Sequence, residues 1–194
     1  MKWAIEDKKI KVKFYNPRDF TEDKHKRIDR APYGGGPGMV IQAEPVIKAV
    51  QSVKSKVKSG KRKIIWLSPS GKQFTNEYAK KAAGKFSDVI IICGRYEGID
   101  ARVKKVFKVE EISVGPFILT GGELPAMLMV DVISRQIEGV LGDFNSLEES
   151  RISSSDVYTR PEIFKYKGKN YRVPKILLSG HRAKIEDWKL SKNK

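Results

Sequence analysis

Cys93-Gly94-Arg95-Tyr96-Glu97-Gly98-Ile99-Asp100 and Ser113-Val114-Gly115-Pro116-Phe117-Ile118-Leu119-Thr120-Gly121-Gly122-Glu123-Leu124-Pro125-Ala126 decide the fold, because each reads as a strand running into a glycine-bearing loop. A third loop, Tyr33-Gly34-Gly35-Gly36-Pro37-Gly38-Met39, sets four glycines within five positions. That density suits a backbone that needs positive φ or must approach a ligand closely. Outward from these loops, the runs Ile64-Ile65-Trp66-Leu67, Val89-Ile90-Ile91-Ile92-Cys93 and Phe117-Ile118-Leu119 predict three short strands. A helix is expected over 76–83, between the first two, which makes a parallel α/β pattern. Ligands of open α/β sheets sit beyond the carboxyl ends of the strands. Ser68-Pro69-Ser70-Gly71, the 94–98 loop and Thr120-Gly121-Gly122 lie at those ends and are expected to converge on one site.

The flanking sequence completes the outline. Ile10-Lys11-Val12-Lys13-Phe14 alternates apolar and basic residues as a half-exposed strand would, and Asn16-Pro17 breaks it. The spacing of Val46, Ile47, Val50 and Val53 predicts an amphipathic helix over 44–57, with Gly60 placed to end it. A second helix is expected over 124–138, with Pro125 in its first turn and Gly139 at its stop. Asp131, Ser134, Arg135 and Glu138 share its narrow polar stripe, while Leu128, Met129, Val132 and Ile133 need more cover than one sheet face provides, so a subunit interface is expected. Residues 1–142 are read as one α/β domain and 143–157 as a linker without periodicity. The basic tail, 158–194, carries an expected strand at Lys175-Ile176-Leu177-Leu178 and a short helix over 183–190.

Composition narrows the chemistry. The 194 residues carry 39 Lys+Arg against 23 Asp+Glu, a formal charge of +16, which points to a polyanionic partner and to nucleic acid before membrane. No apolar run approaches the ~18 residues of a spanning helix, and Met1-Lys2-Trp3-Ala4-Ile5-Glu6-Asp7 has no signal-peptide core, so a cytoplasmic protein is expected. Cys93 is the only cysteine, with His25 and His181 the only histidines, so neither an intrachain disulfide nor a zinc site of the usual ligands is expected. Ser70-Gly71-Lys72 is not a P-loop, since Trp66 stands where that motif has glycine and Gln73 where it has Ser or Thr. No strand leads into the dinucleotide fingerprint G-x-G-x-x-G. The acid-free stretch 54–63 reads as a solvated helix end.

Asn16-Pro17-Arg18-Asp19-Phe20, Tyr33-Gly34-Gly35-Gly36-Pro37-Gly38-Met39, Leu67-Ser68-Pro69, Cys93-Gly94-Arg95-Tyr96-Glu97-Gly98-Ile99-Asp100, Gly121-Gly122-Glu123-Leu124-Pro125-Ala126 and Tyr158-Thr159-Arg160-Pro161, in that order and spacing, resemble the bacterial tRNA (guanine-N(1)-)-methyltransferase family, TrmD. The resemblance covers nearly the whole chain. It implies a SPOUT-type α/β fold with a parallel sheet and a deep trefoil knot, followed here by a short basic C-terminal extension. It also implies a homodimer with its active site at the subunit interface. A knot is not something periodicity would suggest.

The resemblance implies S-adenosyl-L-methionine as methyl donor, held by Leu67, Ser68, Pro69, Gly94, Tyr96, Glu97 and Gly98 and by Ser113, Val114, Gly115, Pro116, Phe117, Ile118 and Leu119, with Thr120, Gly121 and Gly122 closing the wall. Tyr33, Gly34, Gly35, Gly36, Pro37, Gly38 and Arg160 would meet the tRNA. The implied reaction is methylation of N1 of the guanosine immediately 3′ of the anticodon. That nitrogen carries a proton at neutral pH, so a base must take it and a cation must steady charge on the neighbouring oxygen. Arg135, in Asp131-Val132-Ile133-Ser134-Arg135, matches the family's catalytic arginine, and Glu149, in Leu147-Glu148-Glu149-Ser150, stands where the family has an aspartate base. No protein-held metal is implied, while a dependence on Mg2+ stays open. Two alternatives also stay open: a catalytically impaired RNA-binding module of this fold, and a SPOUT methyltransferase with another RNA target. The resemblance further implies that 158–194 is the remnant of a longer helical RNA-binding region.

Overall fold

A computed structural model describes residues 2–56, 60–142 and 154–192. They divide into two compact units, Met1–Gly142 and Asp143–Lys194. In the first, α1 (Lys2–Glu6) and a 3-10 turn (Pro17–Phe20) precede β1 (Asp29–Arg30), β2 (Val40–Ile41), α2 (Ala43–Lys56), β3 (Arg62–Gln73), α3 (Asn76–Lys85), β4 (Asp88–Ile92), α4 (Arg102–Val106), β5 (Glu110–Ser113) and α5 (Glu123–Ser134). β1 and β2 pair antiparallel, while β3 lies between β4 and β5 in a wholly parallel sheet of order β4-β3-β5.

The two-residue period of the strands sorts their side chains into two cores. Ile64, Trp66 and Ile92 pack on one face with Val46 and Val50 of α2 and with Val103 of α4. Ile65, Ile112, Val89 and Ile91 pack on the other with Ala79 of α3 and with Met129, Val132 and Ile133 of α5. Helices thus cover both faces, the arrangement that near-continuous apolar strands require. α3 begins where the Thr75 hydroxyl accepts from the Tyr78 N–H at 3.2 Å, a side-chain N-cap.

Sequence and structure differ at several elements of the outline. The third strand is Glu110–Ser113, not Phe117-Ile118-Leu119, all three of which are exposed. An acidic strand is tolerable at that edge because its carboxylates are matched: Lys63 and the Tyr78 hydroxyl, at 2.9 Å, meet Glu110, and Lys104 meets Glu111 at 2.9 Å. Ile10-Lys11-Val12-Lys13-Phe14 forms no strand and pairs with none among the described residues. α5 ends at Ser134 rather than 138: the N–H groups of Gln136 and Ile137 reach back only three residues, to the Ile133 and Ser134 carbonyls, and so tighten the chain into 3-10-like turns. Ser134 is consequently buried and leaves the expected polar stripe, while Leu124, Met127 and Leu128 of the same helix are exposed.

In the second unit, β6 (Ile163–Tyr166) and β7 (Lys169–Arg172) form a hairpin, followed by α6 (Lys175–Leu178) and α7 (Arg182–Ser191). Lys175-Ile176-Leu177-Leu178 is therefore a helical turn and not a strand, opened by Pro174, whose carbonyl accepts from the Leu177 N–H at 3.0 Å. The hairpin has a local signal in Lys167-Gly168, flanked by Tyr166 and Tyr171: both turn residues have positive φ, 45° and 74°, the geometry of a type I′ turn.

β3 is interrupted. Leu67 and Lys72 both align with Ile112, so 68–71 leaves the ladder and returns to it. A Cβ on Gly71 would stand 2.5 Å from the Ile112 nitrogen and 2.6 Å from the Glu111 carbonyl carbon, backbone that cannot step aside. Gly71→Ala is expected to cost about 2–3 kcal/mol or more and lower the thermal midpoint by several degrees. Gly84→Ala, in open space within α3, should leave stability unchanged or raise it by up to about 1 kcal/mol. Burial alone would raise the Glu110 carboxyl, but hydrogen bonds from Lys63 and Tyr78 outweigh it and hold the group below the usual carboxylate range. A depressed carboxylate stabilises the fold above its unfolded pKa and loses that contribution as pH falls through its folded pKa. Glu110→Gln should therefore unfold at lower urea than the parent at pH 7, with the gap closing below about pH 4.

Candidate active site

Two of the loops that follow the parallel strands are joined backbone to backbone. The Gly122 N–H donates to the Gly94 carbonyl at 2.9 Å, and Arg95 and Gly121 form an antiparallel bridge. A Cβ on Gly122 would lie 2.7 Å from the Cys93 Cα, so the approach requires glycine. The same junction starts α5, whose Ala126 N–H bonds the Gly122 carbonyl at 3.0 Å. Arg95 and Glu123, which the motifs alone did not single out, span the two loops with a hydrogen-bonded ion pair at 3.0 Å.

The four-glycine loop leads into a segment that runs alongside the first of these loops. The Glu97 N–H donates to the Met39 carbonyl at 3.1 Å, the Ile41 N–H to the Gly98 carbonyl at 3.0 Å, and the Asp100 N–H to the Ile41 carbonyl at 2.9 Å. Gly34, Gly35, Gly36 and Gly38 all adopt positive φ, between 80° and 107°. Gly38 does so against the Glu97 side chain, while the first three face open space and Tyr33 beside them is fully exposed. Tyr96 also has positive φ, 57°, unusual for a side chain of its bulk, and its ring is exposed.

Ser113 closes β5 from inside. Its backbone carbonyl accepts from the Phe74 N–H at 2.8 Å, and its buried hydroxyl bonds the Gly115 carbonyl at 3.0 Å. Beyond Gly115, which sits against the Phe117 ring, residues Pro116 to Thr120 are exposed, Ile118 to 86%. Across β3, the displaced 68–71 segment carries the Ser68 and Ser70 hydroxyls 3.0 Å apart, next to the half-buried Leu67.

The charges at the site include two ion pairs, Arg95–Glu123 and Arg102–Asp100. Burial, with some help from the Glu123 carboxylate, pushes the Cys93 thiol up to about 11, so it stays protonated and is no nucleophile at neutral pH. Arg102 clasps Asp100 through Nε and Nη2 and holds its carboxyl below the usual range. Among the described residues no group of three or more His, Cys, Asp or Glu could hold a metal ion.

The remaining expected site residues are distributed. Arg135 is half-buried at the C-cap of α5, its N–H bonded to the Asp131 carbonyl at 3.1 Å. Glu149 lies outside the described residues. Arg160 belongs to the second unit, where it is exposed just ahead of the hairpin. Within the first unit, the contacts gather the 34–41, 93–100 and 120–123 segments into one neighbourhood. Gly122→Ala should force apart the Cys93–Gly94 and Gly121–Gly122 backbones, lowering the thermal midpoint by several degrees, whereas Gly98→Ala meets only the strain of φ 112° and should cost less. Thermal denaturation of the two variants checks the order.

The whole chain, residues 1–194, matches the family described as tRNA (Guanine-1)-methyltransferase TrmD. A protein of Caldanaerobacter subterraneus subsp. tengcongensis named tRNA (guanine-N(1)-)-methyltransferase is 47% identical to it over 197 residues, covering 100% of this chain and 78% of the relative. Proteins of the same name from Photobacterium profundum and Pseudoalteromonas atlantica are 43% and 45% identical, covering 98% and 96% of this chain and 76% and 69% of theirs. With a family match from end to end and a relative 47% identical across the chain's whole length, this chain belongs to the tRNA (guanine-1)-methyltransferase TrmD family.

Proposed function

We propose that the protein methylates N1 of the guanosine immediately 3′ of the anticodon of tRNA, with S-adenosyl-L-methionine as methyl donor. The observation that carries this reading is the end-to-end family match, and the joined glycine loops at the strand ends support it. The residues suit the donor. Loops drawn together by glycine offer backbone N–H and C=O groups to an adenine and ribose, and Tyr96 and the exposed 117–119 segment offer apolar surface beside them. When bound, that donor supplies an electrophilic methyl group. The rest falls to the chain's own groups: Leu67, Ser68 and Pro69, with the 94–98 and 113–122 loops, would hold the donor, and Tyr33 to Gly38 would face the nucleotide.

In this reading Glu149 takes the N1 proton, and the Arg135 guanidinium steadies the negative charge that grows on the adjacent carbonyl oxygen. Arg160 contacts the tRNA, and 158–194 takes part in binding it. The exposed apolar face of α5, with Leu124, Met127 and Leu128, and the exposed 117–119 loop support a homodimer, since a monomer would leave that surface to water. A knotted SPOUT topology, cytoplasmic action and independence of any protein-held metal belong to the same reading.

Labelled methyl groups should pass to a tRNA transcript with guanosine 3′ of its anticodon and not to one with adenosine there. Arg135→Ala should lower kcat/KM by roughly a hundredfold or more while leaving donor binding intact. Glu149→Gln should do the same if Glu149 is the base. Retained turnover there, with loss in Asp156→Asn, would move that role to Asp156, one of three further carboxylates of the connector. Met127→Glu, read by light scattering, should shift the dimer toward monomer and cut methyl transfer with it. Full activity of a monomeric Met127→Glu protein would refute the shared site.

A further inference from the structure

The hairpin of the second unit presents aromatic rings where a small protein would normally hide them. Phe164 and Tyr171 are cross-strand partners, and Tyr166 pairs with Lys169, so the two-residue period places Phe164, Tyr166, Tyr171 and Lys169 on one face. The Phe164 and Tyr166 rings are nearly parallel, 9° apart with centroids at 6.4 Å, and Tyr171 flanks Phe164 at 6.3 Å. All three remain 52–57% exposed, so their mutual contact does not bury them. The Lys167 ammonium sits 5.4 Å from the centre of the Tyr166 ring. From Ile163 to Lys175 the chain carries five cations, Lys165, Lys167, Lys169, Arg172 and Lys175, and no acid.

Aromatic faces interleaved with cations on an exposed sheet are what unpaired nucleic acid binds: bases stack on the rings while the ammonium groups meet phosphates. Lys169 shares the aromatic face and Lys167 stands at its turn, while Lys165 and Arg172 fall on the opposite face of the hairpin. A protein partner would have to offer acid and flat apolar groups together to answer that face, and single-stranded RNA supplies both. We propose that this hairpin is a stacking platform for unpaired bases of the RNA substrate, separate from the pocket that holds the target guanine. The platform rests on the reading of the chain as a tRNA-modifying protein, and deepens it by naming loop or unstacked nucleotides as what the second unit grips.

The test uses the full chain and does not depend on turnover. Tyr166→Trp adds an indole to the platform. Relative to the parent, which has Trp3, Trp66 and Trp188, its fluorescence should be quenched by single-stranded oligouridylate and much less by a blunt RNA duplex of equal length. Tyr166→Leu should weaken tRNA binding by roughly 5- to 100-fold, the loss of one base stack, and raise KM with kcat unchanged, while Tyr166→Phe binds as the parent does. Lys169→Ala should reduce the log–log salt slope of binding by about 0.7. Unchanged tRNA affinity in Tyr166→Leu, equal quenching by duplex, or a change of oligomeric mass in that variant would each overturn the platform. Quenching without methyl transfer would leave the platform standing and defeat the proposed reaction instead.

Discussion

The contact between Gly122 and the Cys93–Gly94 backbone is the point on which the arrangement of the first unit turns. It brings the loop after β4 against the loop that opens α5, and it does so at a distance no side chain at position 122 would allow. From that junction α5 sets off across the face occupied by Ile65 and Ile112, and Met129, Val132 and Ile133 become core. The same junction leaves Leu124, Met127 and Leu128 outward. A single missing Cβ therefore governs both the closure of the loop cluster and the exposure of an apolar helix face.

β3 supplies the complementary constraint. As the central strand it is hydrogen-bonded on both sides, and its break at 68–71 is accommodated only because Gly71 lies against the β5 backbone. Interrupting the middle strand frees the 68–71 segment without giving up the cores beneath. Electrostatics there are restrained: Cys93 stays protonated, Asp100 is engaged by Arg102, and the Glu110 cluster with Lys63 and Tyr78 serves the sheet rather than the loops. Loops whose charges are taken up in the Arg95–Glu123 and Arg102–Asp100 pairs leave backbone groups and apolar surface for recognition.

Much of this was legible in the residues. Four glycines in five positions do all adopt positive φ, because nothing else in the loop could relieve a left-handed backbone. Val89–Ile92 and Ile64–Leu67 pair in parallel as their unbroken apolar character suggests. The two misread strands share one cause. Glu110–Ser113 does not look like a strand until Lys63, Tyr78 and Lys104, distant in sequence, neutralise it, and Phe117-Ile118-Leu119 looks like one although no ladder receives it. Local apolar pattern stands in for burial only when partners are available.

The parallel α/β class, the three glycine loops, the basic character and the family are carried by residue type, period and order along the chain, and so are read from the residues alone. Which strand is central, where α5 stops, that Ser134 is buried while Met127 is not, and that Phe164, Tyr166 and Tyr171 share one exposed face were decided by tertiary structure. Those outcomes depend on which distant residues arrive to pair, to neutralise or to exclude a Cβ, and such arrivals leave no mark in the local pattern of the residues they act upon.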